Sequence, residues 1–232
     1  EYAVVSENRV TPIPGDSDLD VAALFGCAVT TGFGVVENNT KLKIGESVVI
    51  FGAGGIGLNI VQAAALVSAY PIIAVDLHDS KLELAQQMGA THVINSSQSD
   101  ARHAILAIAG DAGVDAFIDN TGQPAIIEMG YDTTKSQGRV ILVGVPRQGK
   151  NVNIFSLPLH FGKVLSGSHG GEAVPQIDIP RYQQLFSNGR IQLKNIITNF
   201  YPLEEINIAL DGVRSGAIAG RCMISMPPQL DE

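Results

Sequence analysis

An apolar run, Val48-Val49-Ile50-Phe51, stops at Gly52-Ala53-Gly54-Gly55-Ile56-Gly57, and an apolar-periodic helix begins inside the glycines. A second apolar run, Ile72-Ile73-Ala74-Val75, ends on Asp76, 19 residues beyond Gly57. Strand, glycine turn, helix, strand and terminal acid at this spacing describe one crossover unit of a doubly wound α/β sheet with a dinucleotide cradle. Gly52 permits the tight turn, Gly54 lets backbone approach a pyrophosphate, and Gly57 allows the helix to pack closely on the strand. The helix N-terminus faces the phosphates with unpaired N–H groups and a partial positive charge. A carboxylate at Asp76 accepts from a ribose diol and repels a 2′-phosphate, which predicts NAD over NADP. A purely structural glycine turn is the alternative for the hexapeptide alone, and its surroundings argue against it.

Strand-like and helix-like segments go on alternating, as a parallel sheet with crossover helices requires. Ile56, Ile60, Ala63, Ala64 and Val67 recur at helical spacing. A second helix is expected from the capping box Ser80-x-x-Glu83 to Met88, before Gly89. A strand at His92-Val93-Ile94, a helix from Ala101 to Ala109 closed by Gly110, and a strand Val114 to Asp119 ending in Asn120-Thr121-Gly122 follow. Gly138 to Pro146 reads as a buried strand that stops at a site-forming turn, and Val164 to Ser168 continues the rhythm. A helix is expected from Pro180 to near Gly189, and another from Pro202 to near Gly216 with Leu203, Ile206, Leu210 and Val213 on one stripe. Arg221 to Met226 closes the chain as a strand, with Cys222 on a core strand. At the start, Tyr2 to Pro14 reads as a strand plus a Pro-containing loop, and Leu19 to Thr30 as a small-residue helix.

The bulk properties narrow the partners. A formal charge of −8, a pI near 5.0 and no run of basic residues argue against nucleic acid or an anionic membrane surface. No uninterrupted apolar stretch reaches the length of a membrane span, and Glu1-Tyr2-Ala3-Val4-Val5 has neither a basic segment nor a cleavage pattern, so a soluble, cytoplasmic protein is expected. The two cysteines, Cys27 and Cys222, lie 195 positions apart, which supports neither a disulfide framework nor a structural zinc knuckle. The length of 232 residues suits one large domain, or one domain and part of another.

Upstream of the glycine turn stands Gly26-Cys27-Ala28-Val29-Thr30-Thr31-Gly32-Phe33-Gly34, and downstream Gly138-Arg139-Val140 runs into Val143-Gly144-Val145-Pro146. With Asp76, Tyr201-Pro202-Leu203-Glu204-Glu205-Ile206-Asn207 and Gly220-Arg221, this combination resembles the zinc-dependent alcohol dehydrogenases of the medium-chain dehydrogenase/reductase family over essentially the whole chain. The resemblance implies a Rossmann sheet at residues 31–170, a remnant of a GroES-like catalytic domain at 1–30, and a segment at 171–232 completing the edges of both. It implies Cys27 as a ligand of a catalytic zinc and Thr31 beside the nicotinamide. Ile56 would press on the back of the nicotinamide ring, Asp76 and Lys81 would hold the adenosine ribose, and Thr121 would line the cofactor cleft. The Val143 and Val145 backbone would bond the carboxamide, and Arg221 would pair with the pyrophosphate.

One departure from the family pattern is decisive. The family's other catalytic-zinc ligands and its structural-zinc lobe fall in a region that would precede Glu1. A catalytic zinc needs three protein ligands and an open position, and this chain offers one matched thiol. His78, His92, His103, His160 and His169 show no His-x-x-x-His or Cys-x-x-Cys partner spacing. The chain is therefore expected to be the cofactor-binding portion of a longer enzyme or a shortened homologue, with zinc in the complete enzyme and absent from this chain.

The implied reaction is hydride transfer between NAD and an alcohol or aldehyde, zinc-assisted in the intact enzyme. The alternatives are an NAD(H)-binding module without independent catalysis and a zinc-free quinone or enoyl reductase, against which Cys27 argues. The bland readings are a buried small cysteine for Cys27, a capping acid for Asp76, a solvated lysine for Lys81 and a surface cation for Arg221. Asn151 to Leu159 carries more apolar residues than a solvent loop needs. In the family, cofactor domains pair through edge strands here, so a homodimer or higher homo-oligomer is expected. The competing expectation is that Ile154, Phe155 and Leu157 cover the core of their own subunit.

Overall fold

The computed structural model describes residues 3–226. In chain order the helices are α1 (Leu19–Leu24), α2 (Thr30–Gly34), α3 (Gly55–Leu66), α4 (Asp79–Gln87), α5 (Ala101–Ala109), α6 (Pro124–Asp132), α7 (Pro175–Ser187) and α8 (Ile206–Ser215). The strands are β1 (Val48–Phe51), β2 (Ile72–Asp76), β3 (His92–Asn95), β4 (Val114–Asp119), β5 (Thr134–Leu142), β6 (Val164–Gly167), β7 (Ile197–Pro202) and β8 (Arg221–Ser225). They form two compact units. One is Cys27–Ala173; the other joins the segment ending at Gly26 to the segment starting at Val174.

The first of these units holds a six-stranded parallel sheet in the order β3-β2-β1-β4-β5-β6, the doubly wound α/β arrangement. Its central strands β1, β2 and β4 are buried on both faces, which is why they read as continuous apolar runs rather than alternating ones. Val49, Phe51, Ile73, Val75, Phe117 and Val140 pack with Ile105 of α5 and Tyr131 of α6. The intervening residues Val48, Ile50, Ile72 and Ala74 are equally buried. Strand order reverses between β1 and β4, and the register Phe51 to Val75, Phe51 to Asp119 and Asp119 to Leu142 brings the carboxyl ends of β1, β2, β4 and β5 to one edge. That edge, at that reversal, is where such sheets open a crevice.

At the opposite edge a polar latch fixes the register. The Ser47 N–H and hydroxyl both donate to Asp115 Oδ2, at 2.9 and 2.7 Å, and Lys135 Nζ lies 2.8 Å from Asp115 Oδ1. Burial works against the Asp115 carboxylate, but Lys135 and the Ser47 donors outweigh it and hold its pKa below the ordinary 3.8. Its contribution to stability is therefore present above 3.8 and fades as pH falls through the lower folded value. Asp115→Ala should cost about 1–3 kcal/mol at neutral pH, chiefly through the Ser47 donors left unpaired. Urea denaturation should show the gap to wild type narrowing in acid.

Several elements depart from the sequence reading. No strand occupies residues 3–14; Glu7–Arg9 is a single 3-10 turn, and Val4 and Val5 are exposed with no strand beside them. Tyr2 lies outside the described residues. The helix expected at Leu19 to Thr30 continues through π-helical turns at Phe25–Val29 and Val35–Thr40. The run Leu19–Thr40, 22 residues whose most apolar window has a mean hydropathy of 1.8, is long and apolar enough to cross a membrane, but 67% of that window is buried, as in a core helix. Helix α4 starts at Asp79 and the Ser80 capping box does not form, because Asp79 takes the first-turn acid position while binding Asn95 at 2.6 Å. Strand β5 begins four residues before Gly138 and ends at Leu142, its start admitted by an irregularity against β4.

In the second unit, β7 and β8 form a two-stranded parallel sheet. Helix α7 starts at Pro175, not Pro180, since Pro175 suits the first helical position and Asp178 Oδ2 accepts the Val174 N–H at 2.7 Å. Helix α8 starts at Ile206, after a 3-10 turn at Leu203–Glu205, and the expected stripe is not covered: Leu203 of the turn and Ile206, Leu210 and Val213 of the helix are exposed, and Ala209 is the buried residue of that helix. Cys222 is half-buried.

Candidate dinucleotide site

The glycine turn has the geometry its spacing implies. Gly52 sits at φ +97°, a conformation L side chains rarely adopt. A Cβ on Gly57 would overlap the Gly52 carbonyl oxygen and come within 3.1 Å of the Gly52 carbonyl carbon, so glycine here sets how near α3 lies to the end of β1. Gly54 differs from both. Its φ of −75° is ordinary, and a Cβ there would meet nothing within 4 Å. Neither packing nor a positive φ requires glycine at this N-cap of α3, where small or polar residues serve as well; a ligand lying on the backbone does require it.

Asp76 ties the turn to the end of β2. Its Oδ2 accepts the Ala53 N–H at 2.8 Å, and its Oδ1 accepts the Leu77 and His78 N–H groups at 2.8 and 3.2 Å. Lys81 Nζ lies 3.9 Å from Oδ1, a loose pair. Each carboxylate oxygen has two lone pairs, so this buried group keeps accepting capacity beyond its main-chain donors. Gly52, Asp76, His78, Lys81, Thr121 and Gln123 line one cavity of about 490 Å³. Thr121 and Val145 line an adjoining cavity of about 740 Å³, with Arg147 and Lys150 on its wall.

Two residues that the sequence reading passed over hold the turns beside these cavities. Asp119, fully buried at the end of β4, accepts from the Thr121 N–H and hydroxyl at 2.9 and 2.6 Å and from the Gly122 N–H at 2.9 Å. Its main-chain oxygen takes the Val143 and Gly144 N–H groups at 2.8 and 2.9 Å. Thr121 thus has its proton committed, and Val143 keeps only its carbonyl for a ligand. Asn120 Nδ2 donates to the Gly52 carbonyl at 3.3 Å. An acid two residues before a threonine and three before a glycine, at a strand end, is the turn signal that could have found Asp119.

The other expected residues are not among those that line these cavities. Ile56 is the second residue of α3 and half-buried. Thr31 is buried on α2, and Cys27 is exposed in the π-helical turn before it, which removes the reading of Cys27 as a core cysteine. Arg221 belongs to the other unit, on β8, where its Nε is buried with no hydrogen-bond partner among the described residues. Among the described residues no group of three His, Cys, Asp or Glu is placed to hold a metal ion, so zinc does not fit on these residues alone.

A family model described as zinc-binding dehydrogenase matches residues 55–188, more than half of the chain. The chain belongs to the zinc-binding dehydrogenases. It is 34% identical over 223 residues to an alcohol dehydrogenase class-3 of Cereibacter sphaeroides, a match covering 93% of this chain and 59% of the relative. The crystal structure of benzyl alcohol dehydrogenase from Acinetobacter calcoaceticus matches with a TM-score of 0.89 at 35% identity, over 95% of this chain and 60% of that one. That of an alcohol dehydrogenase zinc-binding domain protein from Burkholderia ambifaria matches at 0.88 and 37%, over 96% and 60%. This zinc-binding dehydrogenase chain therefore spans about three fifths of the length of relatives it matches.

Proposed function

We propose that this chain binds NAD across the carboxyl edge of its sheet and serves hydride transfer between that cofactor and an alcohol or aldehyde. The observation that carries the reading is the glycine turn: Gly57 is glycine for packing, whereas Gly54 is glycine over open space. Bound NAD supplies a carbon that accepts or returns a hydride. The chain's own residues bind and orient. Asp76 accepts from the adenosine ribose hydroxyls with Lys81 beside it, and the unpaired N–H groups at the start of α3 face the pyrophosphate. Thr121 lines the cleft, and the Val143 carbonyl with the Val145 backbone takes the carboxamide. Ile56 presses on the nicotinamide and Thr31 packs beside it, which orients the ring for transfer. For Arg221 the support is its place in the sequence match and the fork of donors a guanidinium offers phosphate. Domain assignment follows the same reading, with residues 31–170 as the NAD-binding domain, 1–30 as the remnant of the catalytic domain and 171–232 completing the edges of both.

The zinc part of the reading has one residue behind it, the exposed thiol of Cys27. That favours a second reading for the isolated chain, an NAD(H)-binding module without catalysis of its own, to which any zinc would come with ligands from outside the described residues. The test of the cofactor reading is fluorescence titration of the chain with NADH and NADPH. Saturable NADH binding with weaker NADPH binding is expected from Asp76; equal or reversed affinities overturn that assignment.

We also propose a homodimer through β6, one of the two edge strands of the sheet. Ile154 packs on the core of its own unit, but Phe155 and Phe161 are 72% and 69% exposed, and Leu157 and Val164 are exposed beside them. Pairing would cover these side chains and a row of unpaired main-chain groups. Sedimentation equilibrium should find a dimer at micromolar concentration that Phe155→Asp converts to monomer. A monomeric wild type rejects the interface.

A further inference from the structure

Asn120 destabilises the fold at one atom and serves the glycine turn at another. It follows β4, where its N–H donates to the Phe51 carbonyl at 2.9 Å and so continues the strand pairing. Its side chain reaches beneath the turn. Nδ2 lies 3.3 Å from the Gly52 carbonyl oxygen, and a Cβ on Gly52 would come within 3.2 Å of the Asn120 Cβ. The Asn120 Oδ1 is shut off from solvent and has no hydrogen-bond partner among the described residues. Exchanging the amide oxygen and nitrogen would set two acceptors against each other at Gly52, so the orientation is fixed by its surroundings. A buried acceptor without a donor destabilises, and an apolar side chain of the same size would not carry that cost.

We infer that Asn120 is a positioning residue of the cradle, kept for its donor to Gly52 rather than for stability. The Gly52 carbonyl begins the turn that Gly54 completes, and it is the oxygen against which Gly57 packs. Held by Asn120, it faces Gly57 of α3. Released, it could turn toward the face on which the phosphates would lie and set an acceptor against an anion. The inference rests on the dinucleotide reading and adds a residue that acts on the pyrophosphate half of the ligand alone.

The test uses the 232-residue chain as wild type, Asn120→Leu and Asn120→Asp, with thermal melting and calorimetric titration of NADH and of ADP-ribose, which has both phosphates and no nicotinamide. Asn120→Leu should melt at or above the wild type. Its affinities for NADH and ADP-ribose should fall together by about tenfold, the scale of one hydrogen bond. Asn120→Asp should weaken both ligands further, because it replaces the donor with a charge near the phosphates. A leucine variant that melts below the wild type shows a stabilising role and overturns the inference. So does one that binds both ligands normally, or that loses NADH while keeping ADP-ribose. A wild type that binds neither ligand overturns the dinucleotide reading itself, and this inference with it.

Discussion

Gly54→Val is expected to melt close to the wild type and to bind NADH at least about a hundredfold more weakly, the scale of an ångström-sized misplacement at a preorganised site. The argument turns on what surrounds the new side chain. Nothing of the chain lies within 4 Å of a Cβ at Gly54 and its φ is ordinary, so the protein alone should tolerate valine at the cost of a weaker N-cap on α3, about 1 kcal/mol. A pyrophosphate against the turn would not. Gly57→Val is the informative contrast, because its side chain would overlap the Gly52 carbonyl and force α3 away from β1. That variant should lose binding and about 1–3 kcal/mol of stability together. Paired melting and titration curves separate the two cases. Normal NADH affinity in a folded Gly54→Val chain would remove the ligand from the turn.

Asp76→Gly should have the second largest effect, in two parts. Losing the carboxylate removes the repulsion toward a 2′-phosphate, so the preference for NADH over NADPH should narrow toward equality. It also leaves the Ala53, Leu77 and His78 N–H groups without their acceptor, which loosens the turn. NADH affinity should therefore fall by roughly ten- to a hundredfold, with little gain for NADPH. Calorimetric titration of both cofactors checks this. An unchanged NADH preference in the variant would show that Asp76 does not face the ribose.

What could be read from the sequence was what local chemistry determines. The glycine turn, the strands at Val48, Ile72 and Val114 and the helix Ala101–Ala109 are specified by their own residues: apolar runs, punctuating glycines and a capping Asp100 whose Oδ1 accepts the His103 N–H at 2.9 Å. Helix starts failed where two signals competed. Asp79 preceded the capping box at Ser80, and Pro175 preceded Pro180. The stripe on α8 was correctly periodic, yet periodicity cannot say whether a partner surface exists within the chain. Asp119 and Asn120 were missed for a related reason. Their work is done on Thr121, Gly122, Val143 and Gly52, contacts that exist only once β4 has paired with β1 and β5.

Backbone amide shifts of the isotope-labelled chain, recorded as NADH is added, test the central claim most directly. The dinucleotide should move the amides of Gly54, Gly55 and Ile56 at the turn, of Thr121 after β4 and of Val145 after β5, while Ser47 and Lys135 at the opposite edge of the sheet stay in place. Shifts absent from the glycine turn, or gathered at the edge that holds Ser47 and Lys135, would contradict the assignment of this carboxyl edge as the cofactor site.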